Sequence, residues 1–318
     1  MKTIILATAL ALAATGAPSA SAQPGQAGSA PTSTVADGAA TAGSDAPDVA
    51  PDDPKAVAAA AAAAGQDEDA DQDEDADQDV NLAQPDFTIV ALPTTLRMPK
   101  GKFAFRVTHR FGRPLGDGDF GDLAADLFGL DAGGLIGLEL RYGLWRGTQV
   151  GVLRTSDRTI QFFAQQQIVG QGRLPVGLAL NLTSEGTNNF RDSYSPGVGL
   201  IVSREIGRVG AVYVEPTWIN NTNTLPSELA DDNDTFLIGV GARVRVSRRA
   251  YLVAEAAPRV GGFDPGSTHA SVGIEMRAGG HAFQLNASRG LASTMAQVAR
   301  GGSKDDWFIG FNISRKFW

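Results

Sequence analysis

Residues 305–318 read DDWFIGFNISRKFW, and their alternation decides the fold. Trp307, Ile309, Phe311 and Ile313 share one face with Phe317 in the same phase, while Gly310, Asn312, Ser314 and Lys316 occupy the other. A period of two is that of a strand whose two faces meet different surroundings. Termini usually fray and carry polar residues, yet this one closes on Phe-Trp. A strand that seals a barrel inside lipid accounts for such an ending, because the last strand must pair with the first to leave no open edge.

Working outward, the same texture runs back to about Met98. Short alternating runs, punctuated by Gly, Asn, Asp and Pro, fall at roughly 102–111, 134–143, 148–155, 158–168, 174–184, 196–205, 208–219, 235–247, 250–259, 269–278, 281–289 and 306–317. Helical periodicity is confined to a turn or two near 123–127 and 292–298. The connections after strands 2, 4, 6, 8 and 10 are tight, with cores LWRGT, GQGRL, IGR, SRR and AGG; those after strands 1, 5, 7, 9 and 11 are expected to be longer. An even strand number with short turns at one rim and long loops at the other is the pattern of a transmembrane, antiparallel, up-and-down β-barrel of about 12 strands. Tilted strands of this length match the apolar thickness of a bilayer.

If the apolar phase meets lipid, the polar phase lines a lumen. In this phasing Arg106, Arg110, Glu139, Arg141, Glu215, Arg243, Arg245, Glu255, Arg259, Glu275 and Arg277 point inward. Strands 8 to 10 are expected to set Arg243 and Arg245 beside Glu255, and Glu255 beside Glu275 and Arg277. Two roles are open to this set. Opposite charges across strands can form a ladder that stiffens the wall, or a constriction that selects ions or small solutes. Seven bases against four acids would favour anions slightly. The aromatics mark two interfacial girdles: Tyr142, Trp145, Tyr251 and Trp318 near the short turns or the C-terminus, and Tyr194, Trp218 and Trp307 near the long loops. His109, Arg154 and Arg315 take the lipid phase near strand ends, where snorkelling keeps the cost low.

Four segments carry a family resemblance: PKGKFAFRVTHRFG at 99–112, FGLDAGGLIGLELRYGL at 128–144, AGGHAFQLNASRG at 278–290 and FIGFNISRKF at 308–317. In this order they resemble the membrane-bound β-barrel family of unknown function. The resemblance covers roughly 98–318 and implies a barrel in a Gram-negative outer membrane. The terminal aromatic strand also looks like the signal by which barrel-assembly machinery selects its clients.

The rest of the chain differs. Residues 1–22, MKTIILATALALAATGAPSASA, have a charged start, a short apolar core and an Ala-Ser-Ala cleavage site, so a secretory leader is expected. Residues 23–84 form an Ala-, Gly-, Pro- and Asp-rich arm with little to bury, which predicts disorder; residues 85–318 form the barrel domain. The first 84 residues hold 14 acids and 2 lysines, leaving 21 acids and 25 bases in the body. Within the arm, residues 66–79 (QDEDADQDEDADQD) carry nine acids but no glycine in a calcium-loop position, and read as a self-repelling spacer. The arm is expected in the periplasm, where it could reach peptidoglycan or a periplasmic partner.

Chemistry is sparse. No cysteine is present, which excludes disulfides, Cys-ligated metals and the acylated Cys of a lipoprotein. The three histidines, His109, His269 and His281, show no metal spacing, and no outward Ser matches His109. No phosphate-cradling loop is present, and no cofactor, metal or nucleic-acid partner is expected. The leading expectation is a non-enzymatic passive channel or small transporter for polar solutes. The alternatives are a non-conducting structural or partner-binding barrel and, third, an outer-membrane hydrolase.

Overall fold

A computed structural model of the chain describes residues 81–129, 133–223, 232–264 and 266–317. The expected leader, the arm as far as residue 80 and the girdle residue Trp318 lie outside the described residues.

The strands are β1 (Phe103–Pro114), β2 (Gly134–Trp145), β3 (Thr148–Thr155), β4 (Ile160–Val169), β5 (Gly177–Gly186) and β6 (Asp192–Ile206). They continue as β7 (Gly210–Asn220), β8 (Asp234–Arg245), β9 (Ala250–Ala257, extended beyond Pro258 by Arg259–Gly262), β10 (His269–Ala278), β11 (His281–Ser288) and β12 (Phe308–Phe317). The break in β9 has a simple cause: Pro258 has no N–H to give the ladder. Both pieces pair with β8, so they form one wall element. Each strand runs antiparallel to its neighbours in sequence, and β1 pairs with β12. The result is a closed, all-β, 12-stranded barrel, as the alternation predicts.

The seam between first and last strands is in full register from Phe103↔Phe317 through Val107↔Ile313 to Arg110↔Gly310. Phe103 and Phe317 stack across it at 4.4 Å, and His109 lies flat on Phe311 at 5.3 Å. His109 thus shelters against aromatic faces on the outer wall. Outward positions hold Phe105, Leu138, Leu140, Val214, Leu252, Ile274 and Leu285, all exposed. Inward positions are polar and buried, Gln149, Gln165, Asn181, Gln284 and Asn312 among them. A belt of exposed large apolar side chains around a polar interior is the inverse of a water-soluble sheet, and it fits a lipid surround.

The connections match the expected rims with one difference. The β10–β11 link is the two residues Gly279 and Gly280, both at positive φ (52° and 74°), the tight hairpin geometry that glycine adopts without steric cost. The loop between β1 and β2 carries a short helix, α1 (Phe120–Ala125), started by an Asp119–Asp122 capping box. The connection after β5 is not long. Strands β5 and β6 extend to Gly186 and Asp192, converting the expected loop to sheet, and a left-handed turn through Asn188, Asn189 and Phe190 joins them.

Leu140 sits at the middle of β2 beside Phe105 and Val152 on the outer face. Leu140→Arg is expected to destabilise the barrel by about 2–4 kcal/mol relative to Leu140→Ala. Urea titration in lipid vesicles, followed by heat-modifiable gel mobility, measures this.

Candidate functional site

The site is the lumen, and it is filled. Residues 81–98, just before β1, rise from the short-turn rim to the barrel's middle and return to the same rim. The segment folds back on itself: Thr88 bridges Pro93, Ile89 N–H donates to Leu92 O (2.8 Å) and Thr94 N–H to Phe87 O (2.8 Å). Residues 86–95 are almost entirely buried, with Ile89 and Leu92 at 0% exposure.

Wall side chains satisfy the backbone of this insert. Arg243 donates to Thr88 O (2.7 Å), Gln284 to Ile89 O (2.6 Å), Asn312 to Val90 O (3.0 Å) and Gln165 to Thr94 O (2.8 Å). The Glu255 carboxylate accepts three consecutive N–H groups, from Val90 (2.9 Å), Ala91 (2.9 Å) and Leu92 (3.0 Å). Successive amides converging on one anion form a nest, the strongest electrostatic grip a bare backbone offers. Arg106 also bonds the Thr88 hydroxyl. Lower down, Ser314 bonds Asp86 (3.0 Å), Thr95 meets Ser203, and Gln149 bonds both Met98 N–H (3.1 Å) and Leu96 O (3.1 Å). A buried irregular backbone needs such pairing.

The opposite half is occupied by the connection between β11 and β12. Its short helix α2 (Met295–Ala299) opens with a Thr294–Gln297 capping box and enters the lumen. Gln161 accepts from Met295 N–H (2.7 Å), while Glu185 receives the Thr294 hydroxyl and the Arg300 guanidinium (3.0 Å). Met295, Ala296, Val298 and Ala299 meet Ile89, Val90, Ala91 and Leu92 in one apolar cluster, closed by Tyr213, Ile219, Leu237 and Val253 of the wall. Wall glycines make room for it: a Cβ at Gly241 would collide with Ile89, and one at Gly239 would press on Leu92 at 3.1 Å. A small cavity of about 30 Å³ remains between insert and wall near Arg106, Glu139 and Arg141.

Nine of the eleven residues expected to line the lumen are buried there: Arg106, Arg110, Glu139, Arg141, Glu215, Arg243, Glu255, Glu275 and Arg277. Arg245 instead caps the β8–β9 turn through Ser247 O and Arg248 O at the short-turn rim. Arg259 binds Asp264 and Ser267 O at the other rim. Of the expected set, five arginines and four glutamates are buried inside, and Glu185 of β5 and Asp86 of the insert bring two more buried carboxylates.

The pairings also differ from expectation. Arg243 pairs with Glu275 (2.8 Å), not Glu255, because the β8–β9 register sets Gly241 opposite Glu255. Glu139 is clamped by Arg106 (2.7 Å) directly across the strands and by Arg141 (2.9 Å) two residues along. Arg141 lies over Phe163 (4.4 Å) and over Phe87 of the insert (4.9 Å). Glu215, beneath the insert tip, has no hydrogen-bond partner at either oxygen.

Of the girdle residues, Tyr142, Trp145, Tyr194 and Trp218 are exposed near strand ends, and Trp307 precedes β12 beside Arg289 (5.9 Å). Tyr251 is a correction: it is fully buried in the inward phase of β9, where its hydroxyl accepts from Arg277 (3.3 Å). Position near a turn suggested an interfacial role, but strand parity decides the face.

His269 is buried with Glu255 (3.3 Å) and Ser271 (3.2 Å), both at Nε2. A catalytic triad uses both ring nitrogens, one for the nucleophile and one for the acid; here the two partners crowd one. The insert itself went unread in the sequence. Its signal was FTIVALPTTL at 87–96, an apolar run without period two, standing unassigned between an acidic arm and the first strand.

Among solved structures the chain is similar to mutants of Rhodopseudomonas blastica porin: a triple mutant at 13% identity and TM-score 0.32, and another at 12% and 0.32. Each alignment covers 57% of this chain and 55% of the porin, so the chain spans about half the length of the porins it matches. No curated protein matches the chain. The model of the membrane bound beta barrel domain family (DUF5777) matches residues 86–317, and the chain belongs to that family. The match starts at Asp86, so most of the inserted segment lies within the family domain.

Charge-assisted hydrogen bonds contribute about 1.5–3 kcal/mol. Glu255→Ala is therefore expected to speed hydrogen exchange at Val90, Ala91 and Leu92 by roughly 10- to 100-fold. Strand amides at the β1–β12 seam should keep their protection, as mass-spectrometric exchange on the refolded protein would register.

Proposed function

We propose that this membrane-bound barrel resides in the outer membrane as a self-closed, non-conducting module, with the long loops outside and the short-turn rim in the periplasm. The observation that carries this reading is the filled lumen: an insert from one rim and a helix-bearing loop from the other meet in a single apolar cluster. Passive permeation needs a continuous polar path, and the paired charges of the wall are spent on holding the insert and each other. The ladder role of those charges therefore fits better than the selective constriction. The crowding of Ser271 and Glu255 on one nitrogen of His269 weighs against a hydrolase.

On this reading the barrel anchors its N-terminal arm to the membrane and presents two partner surfaces. The loops, including α1, face outward. The arm joins the barrel at Asn81 on the short-turn rim, so its partner on this reading is peptidoglycan or a periplasmic protein. Lipid contacts the apolar belt, and the aromatic β12 serves as the signal for barrel-assembly machinery.

Planar-bilayer recording tests the closed state. The intact, heat-modifiable protein is expected to carry no current, and replacing residues 86–95 by a Gly-Ser linker of equal length should raise the conductance. Reproducible current steps from the intact chain would overturn the closed reading and restore the channel.

A further inference from the structure

The short-turn rim holds a cavity of about 940 Å³ around the place where the insert leaves the barrel. Arg97, Lys100, Arg146 and Arg173 line it, all exposed, and among the described residues their side chains make no hydrogen bond or ion pair. The acid among the lining residues, Glu205, is already engaged, its Oε1 taking the amides of Asn81 (2.7 Å) and Gln84. Arg204, on the same turn, is engaged as well, donating to Pro175 O (3.0 Å). Four cations against one carboxylate, already bonded to two amides, leave this open, polar cavity with a net positive charge and make it an anion-binding surface.

The chain itself supplies one. Asn81, fixed in this cavity, is separated by Val80 alone from Asp79, where the repeat 66–79 with its nine acids ends. A residue spans at most about 3.6 Å, so the last acids of the repeat begin within about a Debye length of the cavity. Covalent attachment at such a distance gives an effective concentration on the order of millimolar, which a free polyanion must outcompete.

We propose that the acidic repeat 66–79 folds back onto this cavity as its resident ligand, its carboxylates paired with Arg97, Lys100, Arg146 and Arg173. The inference is independent of whether the lumen conducts.

Zero-length carbodiimide cross-linking of the full chain, refolded in neutral detergent, tests it. The reagent joins a lysine amine to a carboxylate only when the two touch. The expected product is an intramolecular link between Lys100 and an acid of 67–79, identified by mass spectrometry. Its yield should fall at least fivefold in 1 M NaCl and in the variant Arg97→Glu/Arg146→Glu/Arg173→Glu. A heat-modifiable barrel with no such link would overturn the proposal, as would a yield indifferent to salt or to the three reversals, which would reflect tethering alone. In vesicles the link should persist with neutral lipid and with phosphatidylglycerol. Its loss with phosphatidylglycerol only would assign the cavity to lipid headgroups instead.

Discussion

Inside hydrocarbon there is no water to accept an N–H or donate to a C=O, so every backbone polar group must find its partner within the protein. The pairing of β1 with β12 follows from this, and the rest of the structure depends on that seam. Once it closes, each strand acquires an outside and an inside by parity alone. The outside takes Phe105, Leu138, Leu140 and Ile274; the inside inherits Arg106, Arg243, Glu139, Glu255 and other ionisable side chains in a space cut off from bulk solvent. Closure thus creates a second problem, since buried charges are costly without partners.

The protein meets that second problem with its own chain. Arg243 joins Glu275 and Thr88 O; Glu139 sits between Arg106 and Arg141; Glu255 takes three amides of the insert. The insert, in turn, could not stay irregular and buried without those wall groups. Wall and insert thus satisfy much of each other's polar demand, with Glu215 the exception that keeps both oxygens bare. At the tip the logic changes from polar to apolar, and Ile89 and Leu92 pack with α2 as in a soluble core. Gly241 and Gly239 thin the wall where that packing occurs.

Much of this was legible in the sequence, and the boundary of legibility has a physical cause. Period-two alternation reports burial of one face, so it located all twelve strands and set nine inward charges. It reports nothing about register between strands, which is why Arg243 was matched with Glu255 when Gly241 stands opposite that residue. Nearness to a turn misled the reading of Tyr251, whose parity points inward. The insert was the largest omission. Its backbone bonds go to side chains up to 231 residues away, as with Lys316 and Pro85, and no local pattern encodes such a partner. An apolar decapeptide that belongs to no strand, beside a barrel whose inner face is rich in Gln, Asn and Arg, is the combination that would have revealed it.

The insert begins near Glu205 and ends near Gly143, so both of its ends lie at one rim. It is a loop dipped into the bore, never a cord passed through it. No topological order is therefore imposed on biogenesis: the wall can close before the loop enters, or around it, with the same product. A segment running from rim to rim would have forced the barrel to form on an already placed strand. The dipped loop is also exchangeable in principle, since residues 86–95 can be redesigned as a cassette while the hydrogen-bonded wall keeps its register.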